Sequence, residues 1–285
     1  MKVHLVDGTF ELFRCFHGAP RATGHDGREV GAARGLVATL VALLHEPAVS
    51  HVAVAFDSVV SPRGAGKGAP AEMLIGSQVS LAADVVRALG VPVWPSGRYQ
   101  ADEIIATAAH RFARDSTVDQ VVICANDNDF MQCVESDRVV MLDRIRKRII
   151  DEEGVRARFG VAPAQIPDLF ALIGDVSDGL PGVPGWGPRS AAAVLNRYGR
   201  LDAIPCDPRE WDVAVRGKER LSAALRDRWD EARLCRDLAE LRTDLPVRPT
   251  LDEVEWRGAY RDRCDELARR LDDTSAVDRI ERWRG

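Results

Sequence analysis

Short β-branched runs that end in aspartate, spaced by stretches of helical periodicity, constrain the first half of this chain more than any other feature. Val3–Val6 runs into Asp7, Val52–Phe56 into Asp57, and Val121–Ala125 into Asn126, Asp127, Asn128 and Asp129. Residues 31–45, 78–89 and 101–114 carry apolar positions at helical spacing. Val91–Trp94, Val139–Leu142 and Ile145–Ile150 complete the strands, the last two as a hairpin or a pair of edge strands. Strands alternating with crossover-length helices predict an α/β fold with a mostly parallel sheet. Ligands of open sheets bind beyond the carboxyl ends of the strands, so the repeated aspartate predicts carboxylates crowded into one cleft. Like charges so close need protons or cations, and an all-oxygen donor set suits Mg²⁺ or Mn²⁺. An Asp after a strand also caps helices or opens turns, and for one strand alone that reading is as good. Three strands ending alike, with Asp102 and Glu103 at a helix start, favour a metal cluster. Asp143 also follows a strand, but the basic run Arg144–Arg148 directly after it reads as a turn or surface ion pair.

From about residue 151 strands disappear and helical segments punctuated by Gly and Pro take over, which places a boundary near 150–165. Within this half, LIGDVSDGLPGVPGWGPRS (172–190) reads as a tight hairpin between two helices. Its backbone N–H groups and the following helix start suit phosphate oxygens. Residues 182–200 contain Arg189, Arg197 and Arg200 and no acid, the composition of a grip on a duplex backbone. A plain helical hairpin explains the glycines, but not Asp175 and Asp178 just upstream. Residues 61–70 (SPRGAGKGAP) form the one flexible-looking segment; GAGKG (64–68) lacks the first Gly and the Ser or Thr of a P-loop.

At 285 residues the chain buries enough surface to need no disulfide. Its six cysteines form no C-x-x-C pair, which suits a reducing cytosol and argues against structural zinc. The apolar runs fall far short of a membrane span, and the N-terminus does not resemble a signal peptide, so a cytoplasmic protein is expected. A net charge of −5 argues weakly against a nucleic-acid partner.

The motifs LVDGTFELFRCFHG (5–18), VAFDS (54–58), YQADEIIA (99–106), ANDNDFMQ (125–132) and GDVSDGLPGVPGWGPRSAA (174–192), with a late LRTDLP (241–246), resemble the bacterial and phage 5′-nucleases. These are the flap endonucleases and the 5′–3′ exonuclease domain of DNA polymerase I. The likeness covers nearly the whole chain, in the family's order. It implies a PIN-like nuclease domain over 1–160 and a helical subdomain over 161–285, with a helix-hairpin-helix duplex clamp and C-terminal helices that pack back. A stand-alone, monomeric nuclease is expected.

The resemblance implies one metal held by Asp7, Asp57, Asp102 and Asp127, and a second by Asp127, Asp129, Asp175 and Asp178, with Glu103 where many relatives have Asp. It implies a two-metal hydrolysis of DNA phosphodiesters, Arg14 near the scissile phosphate, and a duplex backbone on Gly182, Gly185, Gly187, Arg189 and Ser190, often with K⁺. Gln100 stands where the family usually has a metal-binding Glu, which removes one charge. The arch that meets the 5′ end is short here, with only Arg63 and Lys67 as bases. Trp186 replaces a usual Ile and is expected to pack rather than stack on a base. Setting aside the eight site acids leaves 36 acids against 39 bases, so the acidity concentrates at the site. The expected activity is a structure-specific 5′-nuclease of DNA replication or repair, cutting 5′ flaps or 5′ ends. The rivals are a junction-binding protein with catalysis lost through Gln100 and the short arch, and a PIN-type ribonuclease, which the duplex-binding hairpin disfavours.

Overall fold

A computed structural model describes residues 1–57, 69–176 and 178–284, with only the backbone described for 69–74. Its first half holds β1 (Lys2–Asp7), α1 (Gly8–Gly18), α2 (Gly31–Leu44), β2 (His51–Phe56), α3 (Ala69–Ala88), β3 (Val93–Pro95) and α4 (Ala101–Phe112). Next come β4 (Gln120–Cys124), a 3₁₀ turn over Asn128–Cys133, β5 (Val139–Asp143) and β6 (Arg148–Ile150). Helices follow: α5 (Glu152–Phe159), α6 (Ile166–Ile173), α7 (Pro188–Tyr198), α8 (Lys218–Asp227), α9 (Trp229–Ala239), α10 (Leu251–Val254) and α11 (Arg261–Leu271).

The six strands form one sheet in the order β3-β2-β1-β4-β5-β6, parallel throughout except for the antiparallel β5–β6 pair. The expected α/β class and mostly parallel sheet are therefore present. Side chains alternate across it, as the two-residue period of a strand requires. Val3 and Leu5 of β1, Ala53 and Ala55 of β2, and Val121 and Ile123 of β4 face a core shared with α4, α6, α7 and α9. Val6, Val52, Val54, Val122 and Cys124 face the other core, shared with α1, α2, α3 and α11. With both faces covered, the central strands read as nearly continuous apolar runs, interrupted in β1 by His4.

Three expectations shift. β3 begins at Val93 rather than Val91 and takes in Pro95, which an edge strand tolerates because its outer N–H needs no partner. Helix α3 starts at Ala69, well before residue 78, in a run of helix-forming Ala, Glu, Met and Leu. β6 is confined to Arg148–Ile150, because residues 144–147 are spent on the turn from β5. Asp143 organises that turn: it accepts from the Ile145 and Arg146 N–H groups at 3.0 and 2.9 Å and pairs with the Arg146 guanidinium. The turn matches the expectation, but the carboxylate is buried rather than on the surface.

His4 lies inside β1 with 4% of its surface exposed, and burial, reinforced by the Lys2 charge, lowers its pKa to about 4. Between that value and the ordinary 6.5 the unfolded chain binds a proton that the folded chain does not. Stability therefore rises with pH across this window, by on the order of 3 kcal/mol, and that contribution is lost as pH falls to 4. Urea unfolding at pH 4.5 and 7 should show a shallower pH dependence in His4→Leu than in the unaltered chain.

Candidate metal centre

The order of strands reverses at β1: β2 and β3 extend to one side, β4 and β5 to the other. A crevice opens at such a switch point beyond the strand ends, and Asp7 and Asp127 stand on either side of it. Asp7 is also the N-cap of α1 and accepts the Phe10 N–H at 2.9 Å. Helix α1 starts hard against β2, since a Cβ on Gly8 would lie 2.6 Å from Val54 Cγ1. Asp57 Oδ1 accepts the Ala101 N–H that opens α4 at 2.8 Å, while its own N–H donates to Thr9 Oγ1 at 2.8 Å. Strand ends and helix starts are thus laced together by the same carboxylates. Capping and crowding do not compete, because an ionised carboxylate accepts from several partners.

Asp127 caps the 3₁₀ turn by accepting the Asp129 N–H at 3.1 Å. One oxygen from each of Asp127, Asp129 and Asp178 lies within 4.8 Å of the others. Asp178 comes from the helical half. A short turn, closed by reciprocal Asp175–Leu180 backbone bonds of 3.0 and 2.8 Å, carries it to the strand-end acids. Asp175 closes this turn and stands outside the trio. Asp7, Asp102 and Asp129 are each 9% exposed. Burial and then the charges of Asp102 and Asp129 push the Cys133 thiol up to about 12. The donor set is oxygen alone and anionic, which fits a hard divalent cation.

Asp102 and Glu103, the remaining acids of the expected set, also make local bonds at the start of α4. Asp102 Oδ1 accepts the Glu103 N–H at 2.7 Å, and Glu103 Oε2 accepts the Gln100 N–H at 3.1 Å, so Glu103 caps α4. Gln100 is the exposed N-cap residue of that helix. Arg63 and Lys67 lie outside the described residues.

Arg14 belongs to a group that local sequence does not reveal. Glu11, 1% exposed, accepts from Arg14 Nε at 3.0 Å and from Arg144 Nη1 at 3.0 Å. Both arginines are also tied to Thr39 of α2, Arg14 through its hydroxyl at 3.1 Å and Arg144 through its carbonyl at 2.7 Å. The one available signal is an acid on the same helical face as Leu12 and Cys15, where a charge requires a partner.

In the hairpin, Gly182 has φ +67°, and a Cβ there would sit 2.4 Å from the Gly174 nitrogen. The two backbones touch, so position 182 takes only glycine. Ser190 Oγ accepts the Gly187 N–H at 3.1 Å and donates to the Gly187 carbonyl at 3.0 Å, fixing the start of α7. Gly185 and Arg189 are exposed at the tip. Trp186 packs inward as expected, its indole donating to Leu221 O at 3.1 Å and its ring 5.9 Å from Trp211. The basic charge of 182–200 is not unopposed, however. Arg197 pairs with Asp212 at 2.9 Å, because the loop after α7 folds back over it.

Comparison with known proteins gives two family matches. The 5′-3′ exonuclease N-terminal resolvase-like domain matches residues 2–160, and the 5′-3′ exonuclease C-terminal SAM fold matches residues 161–262. The chain belongs to the 5′-3′ exonuclease family. It is 36% identical over 88% of its length to DNA polymerase I of Rhizobium leguminosarum, and 34% over 97% to that of Mycobacterium leprae. It spans 25% and 31% of those two proteins. Among solved structures, T5 5′-exonuclease with bound zinc superposes with a TM-score of 0.67 at 18% identity, covering 98% of this chain and 96% of that one. The catalytic core of Rad2 in complex with DNA substrate superposes with 0.61 at 14% identity, covering 98% and 90%. Among the described residues no helix is long and apolar enough to cross a membrane.

Proposed function

We propose that this member of the 5′-3′ exonuclease family is a cytoplasmic, structure-specific 5′-nuclease of DNA replication or repair. It would hydrolyse phosphodiester bonds at 5′ flaps or 5′ ends of duplex DNA with two Mg²⁺ or Mn²⁺ ions. The observation that carries the reading is the approach of Asp178, from the helical half, to Asp127 and Asp129 beyond β4. This approach supports a reading in which the duplex clamp adjoins the reaction centre.

In this reading Asp7, Asp57, Asp102 and Asp127 hold one ion, and Asp127, Asp129, Asp175 and Asp178 the other, with Glu103 contributing charge beside them. Bound there, such ions supply Lewis-acid stabilisation of phosphoryl charge and lower the pKa of a bound water. Arg14, fixed by Glu11 and Thr39 through Nε and Nη2, keeps Nη1 to donate to a phosphate oxygen. Gly182, Gly185, Gly187, Arg189 and Ser190 approach the duplex backbone, with K⁺ as the counter-ion expected at the hairpin, and Arg63 and Lys67 meet the 5′ strand.

The test is incubation of the protein, as a monomer, with a labelled 5′-flap duplex and either cation. Metal-dependent release of the flap is the expected result. Tight flap binding with full metal occupancy and no turnover would establish a junction-binding protein instead.

A further inference from the structure

Residues 255–284 return to the amino-terminal edge of the sheet, the edge opposite the carboxylates. Glu255 forms a bridge with His51, and the Trp256 backbone N–H donates to Ser50 O at 2.8 Å. The Trp256 indole donates to Leu89 O at 2.8 Å, which anchors the segment to the end of α3. The last residues then lie alongside: Ala259 N–H donates to Arg282 O at 3.0 Å, and Arg284 N–H to Ala259 O at 2.8 Å. This pairing interleaves arginines with aromatic rings. The Arg261 guanidinium stands 3.6 Å from the Trp283 centroid, and that of Arg282 5.6 Å from Trp256. Arg263 and Arg284 flank Tyr260 at 4.5 and 5.1 Å, and Arg284 donates to its hydroxyl at 2.6 Å.

Two observations separate this ledge from ordinary surface packing. Residues 255–263 and 279–284 hold six arginines against three acids, with Arg257 paired to Glu255 at 2.8 Å, in a chain whose net charge is −5. Among the described residues, Arg261, Arg263, Arg282 and Arg284 pair with no carboxylate, whereas Arg156, Arg197, Arg209, Arg228 and Arg236 each do. A guanidinium stacked on a ring keeps edge N–H groups for phosphate oxygens, and stacking lowers the entropy cost when one binds. Four guanidiniums held close together on rings, none of them paired to a carboxylate among the described residues, fit a partner that brings repeated negative charge.

We propose that the ledge is a second nucleic-acid contact, gripping the phosphodiester backbone of a DNA segment other than the one in the carboxylate cleft. The proposal rests on the reading of DNA as substrate. Strand β2 separates the ledge from Asp57 by roughly 20 Å, about six base-pair rises, so the ledge meets a distant stretch or another arm of a branched substrate.

Binding of a labelled flap duplex in EDTA is measured against salt for the unaltered protein and for the triple variant Arg261→Gln, Arg282→Gln, Arg284→Gln. The variant should bind roughly 10- to 100-fold more weakly, with a salt slope lower by about 2 to 3, since each phosphate left without its arginine lowers the slope by about 0.9. Equal affinity and slope overturn the proposal. Since the substitutions could also loosen the C-terminal segment, hydrogen exchange is read on the unaltered protein. Duplex should protect residues 256–263 and 279–284, and absence of protection overturns the ledge. Stronger protection by poly-glutamate than by duplex overturns it in favour of an acidic protein partner. Cleavage of flaps with the ledge unprotected sinks the ledge alone, whereas failure to bind DNA at all sinks both readings.

Discussion

Asp127→Asn is expected to lower single-turnover cleavage of a 5′-flap duplex by at least about 10³-fold while leaving the fold intact. Asparagine keeps an oxygen that can accept the Asp129 N–H, so the 3₁₀ turn beyond β4 survives. What disappears is one charge from a group whose oxygens lie within 4.8 Å of one another. A divalent cation contributes several kcal/mol of charge stabilisation in phosphoryl chemistry, and ~4 kcal/mol corresponds to about three powers of ten. The sign reverses for the metal-free protein. Repulsion among Asp127, Asp129 and Asp178 is relieved by the substitution, so thermal unfolding in EDTA should be unchanged or move upward. Residues that act as a unit are not additive, so Asp127→Asn with Asp129→Asn should be little worse than either alone. Cleavage within tenfold of the unaltered chain would remove Asp127 from the reaction centre.

The fold and the expected site are legible in the sequence to different depths. Asp7, Asp57 and Asp127 can be read because each follows a strand that is apolar on both faces, a pattern a parallel sheet imposes and a turn cannot hide. The α/β class follows from the same alternation. The shifted β3 and β6 reflect pairing: Val91 is buried and apolar, yet the sheet register engages only from Val93, and no local property marks that position. Long-range charge pairing is the least legible. Arg197 finds Asp212, and Arg144 reaches Glu11 across 133 positions, but either could have met any of the chain's 44 acids. A hydrophobic pattern recurs and can be read locally, whereas an ion pair is decided by the finished fold. Asp178 lies between these cases. Its place beside a glycine-rich turn marks it in the sequence, but its distance from Asp127 depends on how the helical half packs.

Glu11→Ala is expected to destabilise the chain by about 3–5 kcal/mol, the cost of stranding buried charge when one partner of an ion pair is removed. For a protein of this size that corresponds to roughly a 10 °C fall in Tm. Glu11 is 1% exposed and serves two guanidiniums, and Arg144, with a side chain 13% exposed, has little water to fall back on. Glu11→Gln should cost less, because the amide keeps one acceptor in place. The decisive comparison is the triple variant Glu11→Met, Arg14→Met, Arg144→Met. Replacing a whole buried ion group by apolar side chains of similar volume is often neutral or stabilising, since three desolvation penalties vanish along with the attraction. The triple variant should therefore unfold in urea near the unaltered chain while losing flap cleavage. That combination would show that the group is retained to hold Arg14 rather than to hold the fold. A triple variant as unstable as Glu11→Ala would show the reverse, with net stabilisation residing in the ion pairs themselves.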